Sequence, residues 1–149
     1  GPDSSFQWNR LMTKTKGRDP QSFAQHARDF IRDSDKKPFF LVVGFQDPHR
    51  PFSGDPDVKY DPKKVNFPYF LPDAAETRKD WAEYLHSISR MDRGVGLIIE
   101  ELRAAGVLDD TLILFISDNG PPFPGAKTTL YASGIHLPLI MAGAGVPSD

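Results

Sequence analysis

Cysteine is absent from this chain of 149 residues, which excludes a disulfide framework and leaves the redox compartment open. No apolar run approaches the roughly 20 residues that a helix needs to span a bilayer. An excess of one charge is lacking too. The 18 Lys and Arg stand against 20 Asp and Glu, a net charge of −2, which argues against a general nucleic-acid surface. Neither an internal repeat nor a low-complexity tract is present. What remains is the size of one ordinary domain, able to bury about 70% of its unfolded surface if compact. Proline is plentiful, with 14 copies. Their clustering between apolar segments marks long ordered connections rather than a helical bundle.

The segment Thr111 to Ile116, Thr-Leu-Ile-Leu-Phe-Ile, is a continuous apolar run of the kind that forms a buried strand. It ends on Ser117-Asp118-Asn119-Gly120, placing a carboxylate and an amide oxygen at the C-terminal edge, where open α/β sheets bind their ligands. Lys127 follows on a Gly-flanked loop. Two hard oxygen ligands beside a fixed cation suit a divalent metal and an anionic substrate. Asp-Asn-Gly alone reads first as a turn sequence; a second strand ending in polar chemistry is what strengthens the functional reading. That strand, Phe39 to Phe45, is β-branched and aromatic, as a strand covered on both faces would be, and runs into Gln46-Asp47-Pro48-His49-Arg50-Pro51-Phe52. Pro48 and Pro51 constrain the exit. His49, between them, is a candidate for acid/base or anion-binding work. Arg50 has two alternatives, contact with an anionic substrate or pairing with Asp47.

Residues 1–18 read as irregular, with Phe6, Trp8 and Leu11 as anchors. Asp19-Pro20 reads as an N-cap and first helical residue, and Phe23, Ala24, Ala27, Phe30 and Ile31 keep helical spacing to about Arg32. A long proline-rich loop, 46–72, is functional or lid-like in character. Asp73-Ala74-Ala75-Glu76 is a capping-box pattern opening a long helix. Trp81, Tyr84, Leu85, Ile88, Met91, Val95, Ile98, Ile99 and Leu102 then hold a 3.6-residue period, and these aromatics read as core. Gly94 and Gly96 inside that helix predict close packing, and Gly106 its C-terminal cap. Strand–helix–strand from Phe39 to Ile116 predicts a right-handed parallel crossover, with a third strand at about Leu137 to Ala142. His26 and His86 take no role. Asp55, Asp57 and Asp61 lack calcium-loop spacing and read as loop solvation.

Taken in order, these motifs resemble the type I sulfatases of the alkaline phosphatase superfamily. The resemblance is carried by Phe39-Phe40-Leu41 through Asp47-Pro48-His49-Arg50-Pro51-Phe52 and by Arg90-Met91-Asp92-Arg93-Gly94-Val95-Gly96. It continues through Ser117-Asp118-Asn119-Gly120, Lys127-Thr128-Thr129-Leu130-Tyr131 and Gly134-Ile135-His136-Leu137-Pro138. Asp-Pro-His-Arg and Asp-Asn-Gly-Pro-Pro-Phe-Pro most resemble the heparan N-sulfatase (sulfamidase)-like branch. The resemblance implies an α/β fold, part of an alkaline-phosphatase-like sandwich with a mainly parallel central sheet flanked by helices. It implies that Asp118 and Asn119 are calcium ligands. Lys127 would bind the sulfate and stabilise the leaving oxygen, and His49 would contact the sulfate or protonate the leaving group. Arg50 and His136 would bind substrate, although many relatives carry arginine at the latter position, which bears on substrate identity.

Sulfatases of this type use a formylglycine made from the first residue of a Cys/Ser-x-Pro-x-Arg motif, and no such motif occurs in this chain. The family's N-terminal acidic pair and lysine-x-histidine element are also missing. The expectation is a central fragment. Residues 19–149 would be part of the catalytic α/β domain, without the nucleophile region or the C-terminal subdomain. The parent would hydrolyse sulfate esters or sulfamates on sulfated carbohydrates or other small molecules, with a formylglycine-generating enzyme as maturation partner. The isolated segment would be inactive, bind calcium weakly and self-associate through uncovered apolar surface. Export follows from resemblance alone. Two other readings stay open: a phosphoester or phosphonate hydrolase of the same superfamily, and a non-catalytic binding module.

Overall fold

A computed structural model describes residues 7–12, 17–35, 37–52, 59–147. Phe6, Asp55 and Asp57 lie outside the described residues. Along the chain come α1 (Pro20–Asp33), α2 (Ala75–Ala104), β1 (Leu112–Ile116), α3 (Ala132–Ile135) and β2 (Leu139–Gly143), an α/β composition.

α1 begins as the sequence predicts. Asp19 caps it by accepting from the Gln21 N–H at 3.1 Å, and Pro20, which has no N–H to lose, occupies the first turn. Its buried stripe of Phe23, Ala24, Ala27 and Ile31 faces α2. There Ala27, Ile31 and Leu102 form a core cluster with Phe39, Leu41, Ile98 and Ile113 packed around it. A paired contact from Arg28 to Glu101, at 2.8 and 2.6 Å, joins the two helices at their exposed edge. Glu101 is held below the usual carboxylate range by the hydrogen bond from that guanidinium.

α2 runs for 30 residues. Its start differs from the capping box expected at Asp73. The N-cap is Ala74, with no side-chain bond, because the Asp73 carboxylate is taken by a fork from Arg78. A charged, two-pronged partner outcompetes a single backbone N–H. Its end is a complete Schellman turn: Gly106 (φ +70°) donates to the Arg103 carbonyl at 3.0 Å and Val107 to the Leu102 carbonyl at 3.1 Å. Midway, Leu71, Tyr84 and Phe123 anchor a second cluster, joined by Phe52, Phe67, Phe70, Trp81, Leu85 and Ile88.

The expected parallel crossover is not formed among the described residues. β1 pairs with β2, antiparallel, in a two-stranded sheet with Leu112 opposite Gly143 and Ile116 opposite Leu139. The segment 38–45 takes no regular secondary structure and joins no ladder. Its side chains are taken by the helices instead: Phe39 meets Phe30 edge-on at 5.8 Å and Phe45 meets Phe23 at 4.6 Å. Nor is it covered on both faces, since Phe40 is 74% exposed and Val42 58%. Trp8 stacks on Phe40 and serves as an anchor, whereas Leu11 is exposed. β1 has one face partly covered, and β2 has neither face covered. Leu112, Leu114, Ile116, Leu139, Ile140 and Met141 stay exposed, because no second layer lies over them among the described residues.

Candidate active site

The loop after residue 45 is fixed by a buried carboxylate. Asp47, with its side chain 3% exposed, accepts from Arg90 Nε at 2.7 Å and Nη2 at 2.9 Å, and from Arg18 Nη1 at 2.6 Å. Two guanidinium groups on one carboxylate hold the base of this loop to α2 and to Arg18. Two residues on, the His49 N–H donates to the Gln46 carbonyl at 2.9 Å. The ring Nδ1 lies 2.6 Å from the Arg50 carbonyl. A carbonyl only accepts, so Nδ1 carries the proton and Nε2 is the nitrogen available for chemistry.

The exit of β1 supplies the second part. Ser117 Oγ donates to the Asn119 carbonyl at 2.9 Å, holding Asp118-Asn119 in a tight bend. Gly120 is required there by close approach: a Cβ would sit 2.2 Å from the Ser133 carbonyl oxygen. Loop 117–120 therefore lies directly against the backbone of α3. The intervening loop is braced by Thr129 Oγ1, which donates to the Ala126 carbonyl at 2.8 Å, and by Ser133 Oγ on the Gly125 carbonyl. Ala126 is fully buried. Thr128, next to Lys127, has φ +68°, a left-handed conformation that a β-branched residue holds only when its surroundings impose it.

These parts meet in one hollow of about 370 Å³, lined by His49, Asp118, Asn119 and Lys127 together with Asp47 and Tyr84. The Asp118 carboxylate and the Lys127 ammonium take no ion pair among the described residues. A free carboxylate beside an amide oxygen fits part of a hard-cation shell, whose six to eight oxygens would need further donors. No cluster of three or more His, Asp or Glu suited to a metal occurs among the described residues.

Arg50 and His136 lie elsewhere. Of the two alternatives for Arg50, pairing with Asp47 is not the one observed, since Asp47 is occupied by Arg18 and Arg90. Arg50 grips the Asp80 carboxylate with both Nη atoms, donates from Nε to the Pro122 carbonyl at 3.0 Å, and lies over Phe52 and Phe123 at 4.4 and 4.8 Å. It thus ties the His49 loop to α2 and to the 121–123 turn, and lines a neighbouring groove of about 600 Å³. His136 is exposed at the end of α3, outside the hollow.

Sequence reasoning missed Arg90 and Tyr84. A signal for the first existed: Ser87, Arg90 and Gly94 share the buried face of α2, and a charge on such a face demands a buried partner. For Tyr84 there was none, because an aromatic at core spacing reads as core.

Residues 2–149 match the sulfatase family model. The chain is 36% identical to human N-sulphoglucosamine sulphohydrolase, over 95% of this chain and 34% of that protein. It is 35% identical to an ulvan-active sulfatase of Formosa agariphila, over 52% of this chain and 13% of the relative. With the endo-4-O-sulfatase of Bacteroides thetaiotaomicron the identity is 26%, over 74% and 24%. The chain therefore spans about a third or less of the length of these relatives. With the family match covering nearly every residue, the chain belongs to the sulfatase family.

Proposed function

We propose that this chain is the central part of a sulfohydrolase that cleaves sulfate esters or sulfamates on sulfated sugars. The observation that supports it most is the convergence of Lys127, His49, Asp118 and Asn119, from three separate loops, on one hollow. Relatives named for an N-sulphated sugar and for 4-O-sulfate support the substrate class.

In this reading Lys127 binds the peripheral oxygens of the sulfuryl group, where negative charge sits during transfer. Its braced loop fixes the backbone from which the ammonium extends, which limits the reorganisation needed at the moment of reaction. His49 acts through Nε2. As an imidazolium it donates that proton to the departing oxygen or nitrogen, while its Nδ1–H bond to the Arg50 carbonyl holds the ring in orientation. Asp118 and Asn119 would contribute two oxygens to a calcium ion. When present, calcium would neutralise charge on the sulfuryl oxygens and a formylglycine hydrate would supply the attacking hydroxyl. No Cys/Ser-x-Pro-x-Arg lies in these 149 residues, so that nucleophile would belong to a longer protein, matured by a formylglycine-generating enzyme. Residues 19–149 alone would then lack turnover and hold calcium weakly. Arg50 and His136 would shape the approaches to the hollow.

The test is sulfate release by the complete gene product, coexpressed with a formylglycine-generating enzyme, from an aryl sulfate and from N-sulfoglucosamine. Lys127→Ala and His49→Ala should each lower kcat/KM by about 10²-fold or more, and chelation of calcium should do the same. No release from correctly matured protein would shift the reading to phosphoester substrates or to a binding module.

A further inference from the structure

One wall of the hollow is a residue whose position along α2 assigns it to the core. The Tyr84 ring is indeed buried, 9% exposed, edge-on to Phe52 at 5.6 Å and to Phe123 at 5.5 Å, and tilted against Trp81 at 4.9 Å. A phenol in such surroundings normally finds a hydrogen-bond partner for its hydroxyl. This one finds none among the described residues. Yet its oxygen is not one of the fully sealed polar atoms that lack a partner. It therefore keeps an opening to the outside. Tyr84 lines the hollow that also holds His49, Lys127, Asp118 and Asn119; the larger neighbouring groove does not include it.

A ring locked by three aromatic neighbours in the wall of that hollow, with a hydroxyl that takes no partner among the described residues, is a preorganised donor. We propose that Tyr84 is a substrate-binding residue whose hydroxyl donates a hydrogen bond to an anionic oxygen of the sulfate or sulfamate group held by Lys127 and His49. The proposal rests on the sulfohydrolase reading for the identity of that anion. Its own basis is the unpaired hydroxyl on a fixed ring. The electrostatics agree: burial pushes the phenol up to about 12, so the proton to be donated stays in place across the neutral range. A neutral donor also adds to the grip on an anion without the desolvation cost that another buried charge would bring.

The experiment is Tyr84→Phe in the complete gene product, which removes one oxygen and leaves every ring contact. Inorganic sulfate binding is measured by calorimetry, kcat/KM with the two sulfated substrates, and Tm by scanning. A donor to a charged acceptor predicts about tenfold to a hundredfold weaker sulfate binding and a matching loss in kcat/KM, with Tm unchanged. Sulfate binding within twofold of the wild type overturns the proposal, and so does a wild type that binds no sulfate. A wild type that binds sulfate but hydrolyses neither substrate overturns the sulfohydrolase reading instead. In that event the binding ratio alone decides the role of Tyr84.

Discussion

Asp47→Ala is the perturbation whose cost the structure sets most firmly. The carboxylate is 3% exposed and accepts three charge-assisted bonds, two from Arg90, whose side chain is 9% exposed, and one from Arg18 at 13%. Truncation removes two charge-assisted bonds from the buried Arg90 guanidinium, while Arg18 lies closer to water and recovers part of its hydration. Breaking a buried pair from one side costs about 3–5 kcal/mol. Against a typical total of about 5–15 kcal/mol that is a large fraction of the stability. Asp47→Asn keeps the shape and one acceptor and should lose about 1.5–3 kcal/mol, giving a readout if the alanine variant does not fold. Urea denaturation with linear extrapolation measures both. In a cycle with Arg90→Ala, the double variant should lose less than the sum of the singles, by about 1–3 kcal/mol. The loss should also persist in high salt, because buried pairs are poorly screened. A cost below about 1 kcal/mol for Asp47→Ala, the range of exposed pairs, would refute the idea that this carboxylate anchors the His49 loop.

The two helix glycines give a paired contrast. A Cβ at Gly94 would lie 2.7 Å from Phe45 Cε1, so Gly94→Ala should destabilise by up to about 2 kcal/mol, overpacking of about 1–3 outweighing about 1 gained in helix propensity. Gly96 has open space around it, and Gly96→Ala should stabilise by up to about 1 kcal/mol; equal effects in thermal denaturation would rule out the packing argument. At alkaline pH, the Tyr84 phenol, raised from its ordinary 10.0 to about 12 by burial, keeps a proton that the unfolded chain releases. Its contribution to stability is whole below pH 10 and fades as pH rises toward 12, so Tyr84→Phe should flatten unfolding profiles in that window, and a parallel loss in both proteins would exclude the effect. Finally, the apolar surface carried by Leu114, Ile116, Leu139 and Met141 should drive residues 1–149 alone into oligomers. Light scattering that reports a monomer across a wide concentration range would contradict this.

Periodicity made the helices legible, since α1 and α2 each bury one regular stripe, with a local start signal in Asp19-Pro20 and a stop signal in Gly106. The pairing of strands was not legible. An apolar run states that a segment can be buried but not which neighbour it meets, so Phe39 to Phe45 reads as a sheet strand although its aromatic side chains pack on the helices. For the same reason Gly94 followed the packing expectation and Gly96 did not. Within the hollow, Asp118, Asn119, Lys127 and His49 were readable as polar residues ending apolar segments. The partners of Asp47 and Arg50 were not, because ion pairs between Arg90 and Asp47, or Arg50 and Asp80, depend on side chains far apart in sequence. Tyr84 carries two properties, a buried ring and an open hydroxyl, and spacing reports only the first.

The approach of Gly120 to Ser133, and of Gly134 to Ala126 and Thr129, joins the bend after β1 to the lysine loop through the backbone of α3. The carboxylate of Asp118 and the ammonium of Lys127 are thereby mounted like two marks on one ruler. A descendant protein cannot alter the spacing of those marks without remaking two loops at once, whereas the walls around them can change one residue at a time. Change in what the hollow admits would then accumulate in its walls, at positions such as Tyr84, and leave the ruler as inherited.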